Sequence, residues 1–220
     1  MGLLQFISEP VLFVVLLISL IFSLCFHEYS HGITAYYLGD DTAYNYGRLT
    51  LNPLAHLDPM GTMLILFIGV GYAKPVPVNV NNLNNPKSDI IKVAAAGPIS
   101  NLILAFVGMF AFQLLTPDTN SVYYIFLQIF IHINIALALF NLLPIYPLDG
   151  GQIFGNIIHK YSPKAANNLL IYGPKVLLVA ILLGLFTGVS IIWFFIEPVK
   201  NLVLYIFNFI ILFILKIFNL

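Results

Sequence analysis

The chain has 220 residues, 60% of them apolar and 8% charged, with nine basic residues balancing nine acidic ones. A soluble domain carries about 25% charged residues, so this chain lacks the polar surface to cover a globule and reads as an all-α integral membrane protein. Neutrality and the absence of a basic run argue against nucleic acid as a partner. The single cysteine, Cys25, excludes an intramolecular disulfide and a four-cysteine zinc site.

Five stretches are long and apolar enough to cross a bilayer, which takes about 20 residues: 10–37, 90–115, 122–143, 170–195 and 199–218. The first has no Lys or Arg before it, so it lacks the basic start of a signal peptide and is expected to be retained. Residues 44–51 alternate and predict a small β-hairpin or edge strand. Residues 59–72 are too short to cross and predict a re-entrant or interfacial segment. The Pro- and Asn-rich stretch 73–89 predicts an ordered, turn-rich loop. No internal repeat appears. Residues 1–220 are expected to form one membrane-embedded domain, with a catalytic core at about 10–150 and C-terminal crossing helices at about 170–218.

The basic residues set an expected orientation. With the N-terminus outside, Arg48, Lys74, Lys87, Lys160, Lys164 and Lys216 lie inside, Lys92 and Lys175 sit at inner helix ends, and Lys200 alone lies outside. That bias requires residues 59–72 not to cross.

Ionisable side chains at membrane depth are costly and usually functional. The first stretch contains His27-Glu28-Tyr29-Ser30-His31. On a helix, positions i and i+4 share a face, so two imidazoles can bind one zinc ion with the Glu beside them as general base. From the composition, chance alone gives such a motif on the order of one time in a thousand. A catalytic zinc site needs a third protein ligand and an open position. Asp149 is the candidate: Pro144 and Pro147 must end the preceding helix, and non-helical backbone at that depth needs a protein or water lining. An Asp-Gly turn is the ordinary alternative for Leu148-Asp149-Gly150-Gly151. Zinc with two neutral imidazoles, Asp149 and Glu28 carries no net charge, the least costly arrangement in a low dielectric.

Among the other polar residues, Asn101 and Asn141 sit at helix ends near the proposed metal and are candidates to hold substrate or donate to an oxyanion. Asn134 is expected to make a helix–helix hydrogen bond. His56 and Asp58 are expected to cap or anchor the 59–72 segment or to touch a zinc ligand. His132 is expected to be buried and structural, Cys25 to pack, and His159 to be solvated.

Three separated blocks carry a resemblance: His27-Glu28-x-x-His31, then Gly97-Pro98-Ile99-Ser100-Asn101, then Asn141-x-x-Pro144-x-x-Pro147-Leu148-Asp149-Gly150. Together they resemble the site-2 protease family (peptidase M50) of intramembrane zinc metalloproteases. The blocks at 47–62 and 73–79 resemble its compact prokaryotic branch, which lacks PDZ and CBS domains. The resemblance implies His27, His31 and Asp149 as ligands of one zinc ion and Glu28 as catalytic base. It also implies a multi-pass protein of a prokaryotic cell membrane, with its active site toward the cytoplasm. The expected activity is metalloendopeptidase cleavage of membrane-spanning substrate proteins, with the bilayer as the other partner. A non-proteolytic zinc-binding scaffold or transporter is the alternative, and two imidazoles with a carboxylate also suit iron or cobalt. The sequence leaves the oligomeric state open.

Overall fold

The computed structural model describes residues 3–68 and 71–218. Among these, the chain forms nine α-helices and no strand: α1 Pro10–Tyr37, α2 Thr42–Asn45, α3 Pro53–His56, α4 Pro59–Ile68, α5 Pro86–Leu115, α6 Val122–Asn141, α7 Asp149–His159, α8 Pro163–Thr187 and α9 Ile191–Phe218. Five of them, α1, α5, α6, α8 and α9, are long and apolar enough to cross a membrane. Proline at the first helical position, where no N–H is needed, opens α1, α5 and α8.

Helices α1, α5 and α6 pack against one another as a three-helix centre. Small residues make their close approach possible, as lipid-facing helices require. Ala105, Ile131 and Ile135 form one buried cluster, against which Val203, Leu204 and Phe207 of α9 pack. A β-carbon at Gly108 would stand 3.1 Å from the Phe130 ring, so a small residue sets how closely α5 meets α6. A second cluster, Ala35, Leu83, Ile90 and Val93, ties the end of α1 to the start of α5. Helix α7 lies between α5 and α8, and α9 closes on α5 and α6.

Several expectations change. Residues 44–51 are not a hairpin or edge strand: α2 takes up Thr42–Asn45, and Gly47 turns the chain at φ +65°. The alternation there runs through a single helical turn and a glycine turn rather than a pleat. The 59–72 segment is not seen to re-enter. Its described part is the ten-residue helix α4, too short to cross, which packs against the N-terminal turn Leu3–Phe6; residues 69 and 70 lie outside the described residues. The last two crossing helices meet earlier than the expected 170–195 and 199–218 imply, inside the expected fourth stretch. The break falls at Gly188, in the left-handed conformation at φ +73°, and Pro198 lies inside α9. Neighbouring helices and local adjustment let a membrane helix absorb a proline, whereas a left-handed cap favours glycine.

Candidate metal centre

Helix α1 presents His27 and His31 one turn apart, their rings 4.7 Å between centroids and nearly perpendicular. Asp149 is the first residue of α7, reached from α6 through Leu142–Leu148 with a cis Tyr146–Pro147 bond. Two glycines seat it. A β-carbon at Gly151 would lie 2.6 Å from the Ile145 carbonyl carbon, and one at Gly150 would collide with the Leu142 and Leu143 carbonyls. The start of α7 therefore folds tightly back onto its own connector and aims Asp149 at α1.

The three side chains converge. Asp149 Oδ2 lies 3.1 Å from His27 Nε2 and 3.4 Å from His31 Nε2, and all three residues are buried. The outer face of each ring is already committed. His27 Nδ1 stands 2.6 Å from Asn101 Oδ1, and His31 Nδ1 stands 2.7 Å from the Val93 carbonyl. Both partners only accept, so each Nδ1 carries the proton and donates, and each neutral ring turns a bare Nε2 lone pair inward. Among the described residues, Asp149 Oδ2 is itself buried with no hydrogen-bond partner. With both rings neutral, three lone-pair atoms face one another and repel unless a cation (a metal ion, or a proton on one ring) joins them. Ligands about 2.0–2.1 Å from a tetrahedral zinc ion stand roughly 3.3–3.4 Å apart, so the observed spacing fits that ion. Among the described residues, these three make the group able to hold a metal.

The surroundings hold the ligands in place. Asn101 is fully buried. Its Nδ2 donates to the Ser23 carbonyl at 3.2 Å and to Asn134 Oδ1 at 2.8 Å, and Asn134 Nδ2 donates to the Phe130 carbonyl at 2.9 Å. The amide thus has no donor left for an oxyanion; it orients His27, a connection that sequence spacing gave no way to see. Asn134 makes the expected helix–helix bond. Gly97 explains its own block: a β-carbon there would stand 2.6 Å from His27 Nε2 and closer still to His31 Nε2. Only a bare backbone lets α5 pass over the imidazole pair.

Glu28, half-buried, accepts a hydrogen bond on Oε2 from the Val76 N–H at 2.9 Å. Asn141 is half-buried at the end of α6 and donates to the Leu137 carbonyl at 3.0 Å. Cys25 is buried away from the group, its thiol 3.2 Å from the Leu51 carbonyl. Asp58 caps α4 by accepting from the Gly61 N–H. His56 is buried and pinned to the Thr50 carbonyl at 2.7 Å, so it anchors its own loop and touches no ligand. His159 is exposed, as expected. His132 is a correction: it is exposed, because the buried stripe of α6 runs through Phe130, Ile131, Asn134, Ile135 and Ala138 on another face.

Comparison with known proteins agrees with this geometry. The profile of Peptidase family M50 matches residues 116–182. The chain is 39% identical over 201 residues to "Putative zinc metalloprotease YwhC" of Bacillus subtilis (strain 168), covering 88% of this chain and 90% of that one. The chain belongs to peptidase family M50. The chain is also similar to proteins named "Putative zinc metalloprotease Rip2" in Mycolicibacterium smegmatis, 28% identical over 144 residues, and in Mycobacterium tuberculosis (strain H37Rv), 32% identical over 142 residues. Each alignment covers 63% of this chain, and the chain spans 55% of each Rip2. No solved structure matches the chain. As an M50 member it is a multi-pass membrane metalloprotease whose cofactor is Zn²⁺, for which the His27–His31–Asp149 group offers the donor set.

Proposed function

We propose that the chain hydrolyses peptide bonds in membrane-spanning proteins, with His27, His31 and Asp149 holding zinc and Glu28 as general base. The observation that carries this reading is the convergence of two bare imidazole nitrogens and an unpartnered buried carboxylate oxygen inside a membrane-crossing helix bundle. Zinc at such a donor set supplies a Lewis acid that acidifies water and polarises a carbonyl.

The chain's own groups do the rest. Glu28, next to His27, takes the proton of the attacking water as its oxygen bonds to the scissile carbonyl carbon. The same carboxyl then gives that proton to the departing amine as the C–N bond breaks. Asn101 holds the His27 ring so that its lone pair stays aimed inward. To Asn141, half-buried where α6 gives way to the connector, we assign the holding of the substrate backbone. The surroundings support a membrane-spanning substrate. An apolar cavity of about 420 Å³ lies between α1, α6, α8 and α9, with Leu20, Leu24, Leu137, Phe140, Ile181 and Trp193 among its walls. Leu24 is one turn before His27, and Phe140 adjoins Asn141. An apolar helix hides its carbonyls in its own hydrogen bonds, so the segment cleaved must unwind, which favours Gly, Pro or Asn near the cut.

The orientation we propose has the N-terminus outside and the metal centre toward the cytoplasm of a prokaryotic cell. Because α4 is too short to cross, Arg48, Lys74, Lys87, Lys160, Lys164 and Lys216 fall on one side. The test of the function is Glu28→Gln in purified, membrane-reconstituted protein, assayed on a single-span substrate. Zinc content stays at one per chain and cleavage disappears. Undiminished cleavage would remove Glu28 from the reaction.

A further inference from the structure

The block Ala-Lys-Pro-Val-Pro-Val-Asn at 73–79 forms neither helix nor strand, yet three of its backbone N–H groups and the Lys74 and Pro75 carbonyls are hydrogen-bonded to the chain around α1. It runs as a strap over α1. The Lys74 N–H donates to the His56 carbonyl at 2.8 Å, the Val76 N–H to Glu28 Oε2 at 2.9 Å, and the Asn79 N–H to Asp40 Oδ2 at 2.6 Å. Arg48 Nη2 donates to the Lys74 carbonyl at 2.9 Å and the Pro75 carbonyl at 3.3 Å. Gly32, one turn beyond Glu28, leaves room for this. A β-carbon there would stand 3.0 Å from Val76 Cγ1.

The prolines give the strap a register. Pro75 and Pro77 have no N–H, so Val76 carries the lone donor of that tripeptide. Sliding by one residue in either direction would turn a proline toward Glu28. The Glu28 side chain has no other hydrogen bond among the described residues, and this contact occupies one carboxylate oxygen, leaving Oε1 for proton transfer. A backbone N–H neither titrates nor swings as a side-chain donor does.

We propose that the 73–79 strap, clamped by Arg48, is a positioning element for Glu28, with the Val76 N–H fixing where its carboxylate points. The proposal rests on Glu28 being the base and identifies Val76 and Arg48 as positioning residues for it. Loss of such positioning lowers turnover while leaving zinc and substrate binding in place.

Two measurements test it. The first is hydrogen–deuterium exchange on the full chain in detergent micelles, read by mass spectrometry on peptides across the strap. Within residues 75–78 only Val76 and Val78 have exchangeable amides, so the Val76 signal is nearly isolated. One amide there exchanges at least about tenfold faster in Glu28→Ala and in Arg48→Ala, while the amides of α1 are unchanged. Equal exchange in wild type and Glu28→Ala would overturn the proposal. The second is kinetics on a fluorogenic peptide whose apolar span contains Gly-Asn. Arg48→Ala lowers kcat roughly 10–100-fold, with KM within about twofold and one zinc retained, and Arg48→Lys restores part of the loss. A kcat that stays at or rises above wild type in Arg48→Ala would overturn it. Failure of the base reading is separable, because Glu28→Gln would then cleave at the wild-type rate whatever the strap does.

Discussion

The α1–α5–α6 centre and the α8–α9 pair cross the membrane with similar apolar composition, yet they are built on different rules. In α5, 39% of the most apolar stretch is buried, against 11% in α8 and in α9. The centre buries Ser19, Ser23, His27, His31, Asn101 and Asn134, and nearly all of them are hydrogen-bonded. The outer pair turns large apolar side chains outward, among them Leu178, Phe186, Phe194 and Phe209. Where solvent is lipid, apolar residues need no partner, so order comes from polar groups that do. Stability and chemistry therefore concentrate where polar side chains are buried against one another, not where apolar ones are most abundant.

Substitutions sharpen that contrast. The largest effect falls on the ligands. Asp149→Ala or His27→Ala removes bound zinc and lowers turnover on the order of a thousandfold or more, read by metal analysis and by cleavage of a reconstituted substrate. One layer out, Asn101→Leu frees the His27 ring and weakens zinc binding about 10–100-fold, measured by chelator competition. Gly97→Ala acts on the same rings by collision rather than by lost orientation, and gives a folded protein with depleted zinc.

A smaller effect lies at the loop that leaves α1. Burial alone would raise the Asp40 carboxyl, but hydrogen bonds from Thr42, Asn79 and Asn82 outweigh it and hold the group below the usual carboxylate range. Its stabilisation is complete above about pH 4, the unfolded value, and disappears as the pH falls through the lower folded value. Asp40→Asn therefore lowers stability at pH 7 by about 1.5–3 kcal/mol, and the gap from wild type narrows as the pH falls below about 4, the unfolded value, in thermal melts across that range. Least of all, Leu178→Ala on the outward face of α8 changes stability by less than about 0.5 kcal/mol. A loss of several kcal/mol there would mean that α8 is covered by protein rather than lipid.

The two regions also differ in how much of them could be read from sequence. The limits of α1, the histidine pair and the partnership with Asp149 were legible, because a helical period and a proline-broken helix end leave a direct trace. The α8–α9 break was not, since Glu197-Pro198 looks like an end while Gly188 makes it. Asn101 was visible as a polar residue near the site, but its work depends on meeting His27 across 74 positions of chain. His132 was misplaced because a uniformly apolar helix gives no periodic sign of which face is buried. Alternation at 44–51 misled for a related reason: a short segment imitates a strand when polar and apolar residues happen to alternate through a turn.

The most direct test of the metal centre is zinc X-ray absorption on the purified protein, compared with Asp149→Ala. One zinc per chain is expected, with two imidazole nitrogens and oxygen at about 2.0–2.1 Å, and the signal is lost in the variant. A sulfur ligand from Cys25, or full zinc occupancy without the Asp149 carboxylate, would contradict it.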